Sequence, residues 1–298
     1  LGDVMDRRKF VSYKIAKDFR ERFLQKFVDL GVTVHMMVGN HDTFYKNTNE
    51  VNSLDELING KFPNIHTYPA TTTVEFDGTP ICFIPWICPE NHAETMQHIQ
   101  ETKAQVAMGH LEINGFEMHA GVKSENGYDK GFLKKFDTVF SGHFHKRQKQ
   151  GKVHYIGNAF PHNYADAWDD ARGMMILDKE NSKEPEYIDW ADCPKYRTIK
   201  LSQLIDEQDK LIKPNMYLRV NLDLPISFEE ASFVKETFIN QYKCREISLI
   251  PQKQLEEIST QLDIQQFESV DQIVAGEISA IDSDNFNKKM LMDIYNEL

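Results

Sequence analysis

The chain has 298 residues, with 34 lysines and arginines against 46 aspartates and glutamates, so its formal net charge is −12. Hydrophobic residues make up 41% of the sequence, which excludes a chain that is disordered throughout. No apolar run approaches the ~20 residues of a membrane-spanning helix, so we expect no membrane partner. The acidic balance argues against a protein that coats nucleic acid by bulk charge alone. The length predicts one large domain with appendages, or two domains.

The four cysteines form no C-x-x-C pair and are too sparse for a disulfide framework. This spacing favours reduced thiols in a hydrophobic core. We therefore expect a cytoplasmic location, which would be the host cytoplasm if the source is viral.

Helical and strand patterns alternate along the first part of the chain. Phenylalanines repeat every fourth residue within a charged surround, which predicts an amphipathic helix from about Lys9 to Leu30. The continuous apolar run Val32–Val38 is typical of a buried parallel strand. Further strand patterns follow at Thr73–Phe76, Ile81–Pro85, Gln105–Met108, Thr138–Ser141, Val153–Ile156 and Gly173–Leu177. A helix followed by buried strands predicts an α/β fold.

The pattern changes in the last third of the chain. Apolar residues alternate along Met216–Asp223, which predicts a strand with one buried face. Ser227 and Glu230 have the spacing of a capping box that opens a helix. We therefore predict a small α+β domain over 193–251. The polar segment 252–298 carries two helical patterns, which fit either a docking element for a partner or a hairpin packed on its own domain.

Four short motifs combine glycine with a possible metal ligand, and each follows a predicted strand. They are Gly2-Asp3, Gly39-Asn40-His41-Asp42, Gly109-His110 and Gly142-His143-Phe144-His145. Carboxylate, imidazole and amide ligands together suit divalent cations, and glycine lets the backbone approach an ion closely. Two cations ~3.5–4 Å apart can hold a phosphate ester and activate a water for in-line attack. Each motif is weak alone, but the four in this order predict a two-metal phosphoesterase centre.

These motifs resemble those of the calcineurin-like metallophosphoesterases, which are D-x-H, G-D-x-x-D, G-N-H-D/E, G-H and G-H-x-H. The resemblance spans about Leu1 to Asp178 and is greatest to the SbcD-type nuclease branch, which includes phage recombination endonuclease subunits. It implies a β-sandwich flanked by helices (α/β/β/α) in a nuclease domain over 1–192. It also implies a capping domain over 193–251 and a C-terminal helical pair within 252–298.

The resemblance further implies roles for individual residues. The implied metal ligands are Asp3, Asn40, His110, His143 and His145. Asp3 would bridge two ions, and His145 would bind the ion that the other three do not. His41 would sit over the scissile phosphate as transition-state stabiliser or general acid, oriented by Asp42, since a histidine can change its charge near neutral pH. The two divalent ions are expected to be Mn²⁺, with Mg²⁺ or another ion as the alternative.

One family motif is missing from the sequence. D-x-H would lie on the strand one βα unit before Gly2-Asp3. We therefore expect a chain truncated before that motif, which lacks two ligands of the metal held by His145. Such a chain is expected to have little or no activity by itself.

A run of basic residues follows the last motif, at Lys146, Arg147, Lys149 and Lys152. It could grip the DNA backbone, or it could be a solvated hairpin loop. From the resemblance, Asn158 and His162 are also expected to contact DNA.

The resemblance implies a homodimer that works with an SMC-like ATPase of the SbcC type. The contact would be made by helices at Asp271–Ile281 and Asp284–Leu298. Our leading hypothesis is a metal-dependent DNA exo/endonuclease subunit for recombination and double-strand-break repair, because a capping region and helical pair suit a nuclease assembly. The alternatives are a small-molecule phosphatase or nucleotide phosphodiesterase with the same metal core, and a non-catalytic scaffold for the ATPase.

Overall fold

The computed structural model describes residues 1–119, 121–178 and 184–251, and the single positions 278, 287, 288, 290, 291 and 295. The chain divides into two compact units. The first comprises Leu1–Asn158, Met174–Ile188 and Ile294–Leu298, and the second comprises Ala159–Gly173 and Asp189–Asp293. Apart from those single positions, the helical pair expected at Asp271–Ile281 and Asp284–Leu298 lies outside the described residues. The domain boundaries derived above stay predictions.

The first unit is built on a mixed six-stranded sheet. The strands of this unit are β1 (Val34–Met37), β2 (Ile65–Tyr68), β3 (Thr72–Phe76), β4 (Thr79–Ile84), β5 (Val106–Gly109), β6 (Glu117–His119), β7 (Val122–Lys123), β8 (Thr138–Ser141), β9 (Gln148–Gln150) and β10 (Val153–Tyr155). The large sheet has the order β3-β4-β5-β8-β10-β9. Its four central strands, β4, β5, β8 and β10, are parallel to one another. A second, parallel sheet pairs β1 with β2. Two further strands, β11 (Gly173–Ile176) and β12 (Glu186–Asp189), pair with each other.

The first helical segment begins later than its sequence pattern predicts. It comprises α1 (Tyr13–Asp18), a wider turn at Phe19–Leu24 and α2 (Gln25–Asp29). The predicted start at Lys9 is wrong because the hydroxyl of Ser12 accepts a hydrogen bond from the Ile15 N–H and caps the helix there. The unit also contains α3 (Ser53–Leu57) and α4 (His92–Glu101).

Alternating side chains on β1 separate two hydrophobic layers. Met36 and Val38 pack with Leu24 of the first helical segment. Met37 points the other way and packs with Phe83 of β4. Such alternation is what a strand between two apolar layers requires.

The far face of the six-stranded sheet is covered by α4. There Cys82 and Ile84 of β4 join Ile99 of that helix in a buried cluster. The order of layers is therefore helix, sheet, sheet, helix, and the predicted α/β class is confirmed. All four cysteines are buried free thiols, and burial raises the pKa of the Cys82 thiol to about 12.

The second unit contains a parallel three-stranded sheet. Its strands are β13 (Tyr196–Lys200), β14 (Tyr217–Leu222) and β15 (Glu246–Pro251), and its helices are α5 (Leu201–Leu211) and α6 (Phe228–Asn240). Leu218 and Val220 are fully buried, so the predicted strand with one buried face is confirmed. Both hydrogen bonds of the predicted capping box between Ser227 and Glu230 are present. In the described part of the chain, no helix is both long and apolar enough to cross a membrane.

Candidate metal centre

Three of the predicted motifs meet beyond the carboxyl ends of strands. Asn40 follows β1, His110 follows β5 and His143 follows β8. The two sheets are joined at this end, since the Trp86 N–H after β4 donates to the Val38 carbonyl at 2.8 Å. The carboxyl ends of parallel strands are where α/β folds collect ligands, and the sequence motifs lie at this edge as predicted.

Four electron-pair donors converge on one point. The Asn40 Oδ1 lies 2.9 Å from His110 Nε2 and 3.0 Å from His143 Nδ1, and the two ring nitrogens are 3.3 Å apart. Asp3 Oδ2 lies 3.2 Å from His110 Nε2. Within the described residues, the ligand atoms of Asp3, His110 and His143 all lie within 4.8 Å of one another. Ligands at ~2.0–2.2 Å from one ion would be spaced in this way, so the four residues fit a divalent cation.

The charge states of these side chains also suit a cation. Burial, together with the nearby His110, lowers the pKa of His143 to about 3. The His143 ring is therefore neutral at neutral pH, which is the form that binds metals. Burial opposes ionisation of Asp3, but the charge and hydrogen bond of His110 and the His41 N–H outweigh it and lower the pKa of that carboxyl. Asp3 is therefore a carboxylate in a largely enclosed site.

The backbone is closely packed around these ligands. A Cβ on Gly39 would overlap the backbone nitrogen and carboxylate of Asp3, and one on Gly142 would overlap the Leu1 carbonyl. Asp3 and His143 themselves have left-handed backbone conformations, with φ of 52° and 82°. Such conformations cost about 1–3 kcal/mol each in non-glycine residues and persist where the surrounding structure holds them.

Asp42 is buried and binds main-chain N–H groups of two loops. Its side chain is 3% exposed. Its two oxygens accept hydrogen bonds from the N–H groups of Val4 (3.2 Å), Met5 (2.9 Å) and Gly39 (2.9 Å) and from the hydroxyl of Ser53 (3.2 Å). In the described contacts the His41 ring is bonded to the Asp6 carbonyl, and the expectation that Asp42 orients His41 stays a prediction. Asp42 ties the loop of Asp3 to the loop of Asn40.

His41 is held by a main-chain carbonyl. The His41 side chain is exposed, and its Nδ1 lies 2.6 Å from the carbonyl oxygen of Asp6. Its own N–H donates to Asp3 Oδ1 at 2.8 Å. A carbonyl oxygen can only accept a hydrogen bond, so Nδ1 carries the hydrogen and Nε2 is the ring nitrogen that does not contact Asp6.

His145 lies near this cluster but is not part of it. It is half-buried, and its charge contributes to lowering the pKa of His143. Among the described residues it is not one of the three whose ligand atoms come within 4.8 Å of each other. Its assignment to the other metal ion stays a prediction.

The residues expected to contact DNA have varied surroundings. Lys146 forms an ion pair with Glu117, and the guanidinium of Arg147 lies 4.1 Å from the centre of the Tyr187 ring. Lys149 and His162 are exposed. The Asn158 N–H donates to the His145 carbonyl at 3.0 Å, and its side-chain nitrogen is buried with no hydrogen-bond partner among the described residues. Contact of these five residues with DNA stays a prediction.

Sequence reasoning gave no role to two residues that border the cluster. The ring of Trp86 lies 5.4 Å from that of His143 and 6.1 Å from that of His110. Glu112 Oε2 lies 3.9 Å from His143 Nε2, and its other oxygen accepts a hydrogen bond from Ser124. Trp86 comes two residues after β4, and Glu112 comes three residues after β5. Both strands end at the centre, and this position is the sequence signal that could have indicated the two residues.

Comparison with known proteins agrees with this geometry. Residues 1–147 match the calcineurin-like phosphoesterase family. Over 182 residues, the chain is 40% identical to exonuclease subunit 1 of Enterobacteria phage T4. The aligned region is 61% of this chain and 52% of that relative, so the chain spans about half the length of the curated relative it matches.

Proposed function

We propose that this chain, whose residues 1–147 match the calcineurin-like phosphoesterase family, carries the catalytic centre of a metal-dependent DNA nuclease. The observation that carries the proposal is the convergence of Asp3, Asn40, His110 and His143 on one point. The 40% identity to a protein named as an exonuclease subunit supports DNA as the substrate. The reaction is hydrolysis of a phosphodiester bond in recombination and double-strand-break repair.

These four residues would hold one divalent cation, and His145 would contribute to the site of a second. We propose Mn²⁺ for both ions, because a mixed set of carboxylate, imidazole and amide ligands suits it. When bound, the metals supply Lewis acidity and a water activated for attack. Neutral His143 and ionised Asp3 are the states in which these side chains bind a cation without first losing a proton.

His41 would act on the bound phosphate. The carbonyl of Asp6 accepts a hydrogen bond from Nδ1–H, and in this proposal the Nε2–H of the protonated ring contacts the substrate. That proton stabilises the charge that develops on the phosphoryl oxygens and passes to the leaving oxygen as its bond to phosphorus breaks. A general acid of this kind contributes about 10²–10⁴-fold to the rate.

The relative is named as a subunit, which supports an assembly with a partner protein. We extend this to a homodimer bound to an SMC-like ATPase of the SbcC type, with segment 252–298 as the contact and 193–251 as the capping domain. The proposed location is the cytoplasm, which is the host cytoplasm for a viral source.

The test uses the natural protein that carries this sequence. Linear duplex and single-stranded DNA are incubated with Mn²⁺, with and without excess EDTA, beside a phosphomonoester. We expect DNA degradation that EDTA abolishes and that His41→Ala slows at least 100-fold. The matched control is His66→Ala, which removes an exposed histidine of β2 in the same unit and is expected to change nothing.

The other outcomes distinguish the alternatives. Turnover of the monoester alone would support a small-molecule phosphatase. Metal binding with neither substrate consumed, also after a partner ATPase is added, would support the non-catalytic scaffold.

A further inference from the structure

A cleft in the first unit lies beside the candidate metal centre. Its volume is about 220 Å³, and its walls come from the segment that follows Asp6, from the loop after Asp42 and from α3. We call it the Phe10–Phe44 cleft after two phenylalanines that line it. The metal ligands do not line this cleft, and the role proposed for the metal centre leaves it unexplained.

The cleft shares a wall with the centre. Asp42 lines the cleft, and the same carboxylate binds the N–H of Gly39, the residue before the proposed ligand Asn40. Arg7 lines the cleft as well, and it follows Asp6, whose carbonyl contacts Nδ1 of His41. The cleft therefore adjoins the loops that carry the proposed ligands.

The lining combines positive charge with aromatic rings. The Arg7 guanidinium lies 5.8 Å from the centre of the Phe10 ring, and the Lys9 ammonium lies 5.6 Å from that of Phe44. Phe10 is 65% exposed, so its ring is accessible to a ligand in the cleft. Glu56 also lines the cleft and is exposed, while the carboxylate of Asp42 is buried and engaged by its donors.

The Phe44 wall is already formed. The Phe44 N–H donates to the Val51 carbonyl at 2.8 Å, and Thr43 is bridged to Asn52. Because the main chain of this loop is already paired, a base can bind against Phe44 without the entropy loss of first ordering the loop. Aromatic platforms beside basic side chains are how proteins bind single-stranded nucleic acid, since every base has a face that can stack.

We propose that the Phe10–Phe44 cleft binds one unpaired nucleotide of the DNA, next to the scissile phosphate. The base stacks on the phenylalanines, and Arg7 and Lys9 contact the adjoining phosphate. The inference rests on the proposed nuclease function and assigns it a preference for single-stranded or frayed ends over intact duplex.

The test measures binding separately from cleavage. A single-stranded oligonucleotide with 2-aminopurine at its terminal position is titrated with the natural protein in Ca²⁺, and stacking is read from quenching of its fluorescence. We expect Phe10→Ala to abolish the quenching and to weaken binding about tenfold, which is the effect of losing one stacked base. Lys9→Gln should reduce the slope of log affinity against log salt by about one. Blunt duplex should show neither effect.

Matched controls lie outside the cleft. Phe23→Ala removes a partly exposed phenylalanine of the first helical segment, and Lys17→Gln removes an exposed lysine of α1. Both should leave the quenching and the salt dependence unchanged. A small phosphodiester without bases, bis-p-nitrophenyl phosphate, should be hydrolysed in Mn²⁺ at the parent's rate by these two control variants.

Two results would overturn the inference in different ways. If Phe10→Ala and Lys9→Gln bind and quench the oligonucleotide as the parent does, the cleft is not a nucleotide site although the nuclease proposal stands. If the parent hydrolyses the small diester but neither binds nor cleaves DNA, the proposed function itself fails, and the inference fails with it.

Discussion

Among single residues, Asp42 is the one on which the geometry of the centre depends most. Two loops that are far apart in the chain meet at its carboxylate, one that carries Asp3 and one that carries Asn40. The strained backbone of Asp3 can persist only because its neighbours are held in this way. Asp42 is therefore a positioning residue with no direct contact to the ligand atoms.

Replacing Asp42 by Asn should lower the free energy of unfolding by about 2 kcal/mol, because two N–H bonds to a charged acceptor are lost or weakened. Chemical denaturation monitored by circular dichroism measures this change. Asp29→Asn, at the end of α2, is the control and should have almost no effect. An Asp42→Asn protein as stable as the parent would show that the two loops are held by other contacts.

Glu112 is the second residue whose role comes from geometry. It lies on the far side of the His143 ring from Asn40, where a carboxylate can orient a metal-binding histidine. Loss of such a partner reduces metal affinity about 10–100-fold. We expect this loss in Glu112→Gln when Mn²⁺ is titrated by calorimetry.

A stability measurement separates this positioning role from a purely structural role for Glu112. The unfolding free energy of metal-free Glu112→Gln should stay close to that of the parent, because the hydrogen bond from Ser124 can be kept. A variant that is destabilised but binds Mn²⁺ normally would contradict the positioning role.

At the level of elements, the strand ends could be predicted and the contacts between loops could not. Gly109-His110 and Gly142-His143 directly follow apolar, strand-length runs, so their meeting at one edge of the sheet follows from parallel pairing. The contact of Trp86 with His143 depends on how two strands are staggered, which local patterns do not encode. The predicted start of the first helix is too early because the spacing of the phenylalanines does not mark where a helix begins, whereas the Ser12 cap does.

The second unit contains an ion pair between segments. Arg197 of β13 is buried and donates to both oxygens of Asp170, at 2.9 Å and 2.6 Å. Burial opposes ionisation of Asp170, but its bonds and charge interactions with Arg197 and Lys195 outweigh it and lower the pKa of the carboxyl. This pair therefore stabilises the fold above the unfolded-state pKa of about 3.9, and the stabilisation is lost as the pH falls through the folded-state value.

Asp170→Asn should accordingly cost about 1.5 kcal/mol of unfolding free energy at pH 7, with a smaller difference from the parent at pH 3. Urea unfolding at both pH values, followed by tryptophan fluorescence, gives the comparison. The exposed Asp206 of α5 provides the control in Asp206→Asn. A difference that is equal at the two pH values would show that the charge of Asp170 is not what stabilises the pair.

For the whole molecule, the main electrostatic problem is a net charge of −12 in a protein proposed to bind a polyanion. Bulk attraction cannot supply that affinity. We expect the affinity to come from divalent cations at the centre and from the basic and aromatic cleft, because both act at short range on single phosphates and bases. An acidic composition that argues against coating nucleic acid by bulk charge is therefore compatible with motifs that predict a nuclease.

The central claim is that Asp3, Asn40, His110 and His143 together bind a divalent cation, and calorimetric titration of Mn²⁺ tests it most directly. The natural protein is compared with Asn40→Ala, His110→Gln and the control His66→Ala, with circular dichroism to verify that each is folded. The account predicts that Asn40→Ala and His110→Gln each lose at least tenfold in affinity while His66→Ala binds like the parent. Equal Mn²⁺ affinity in all four folded proteins would contradict it.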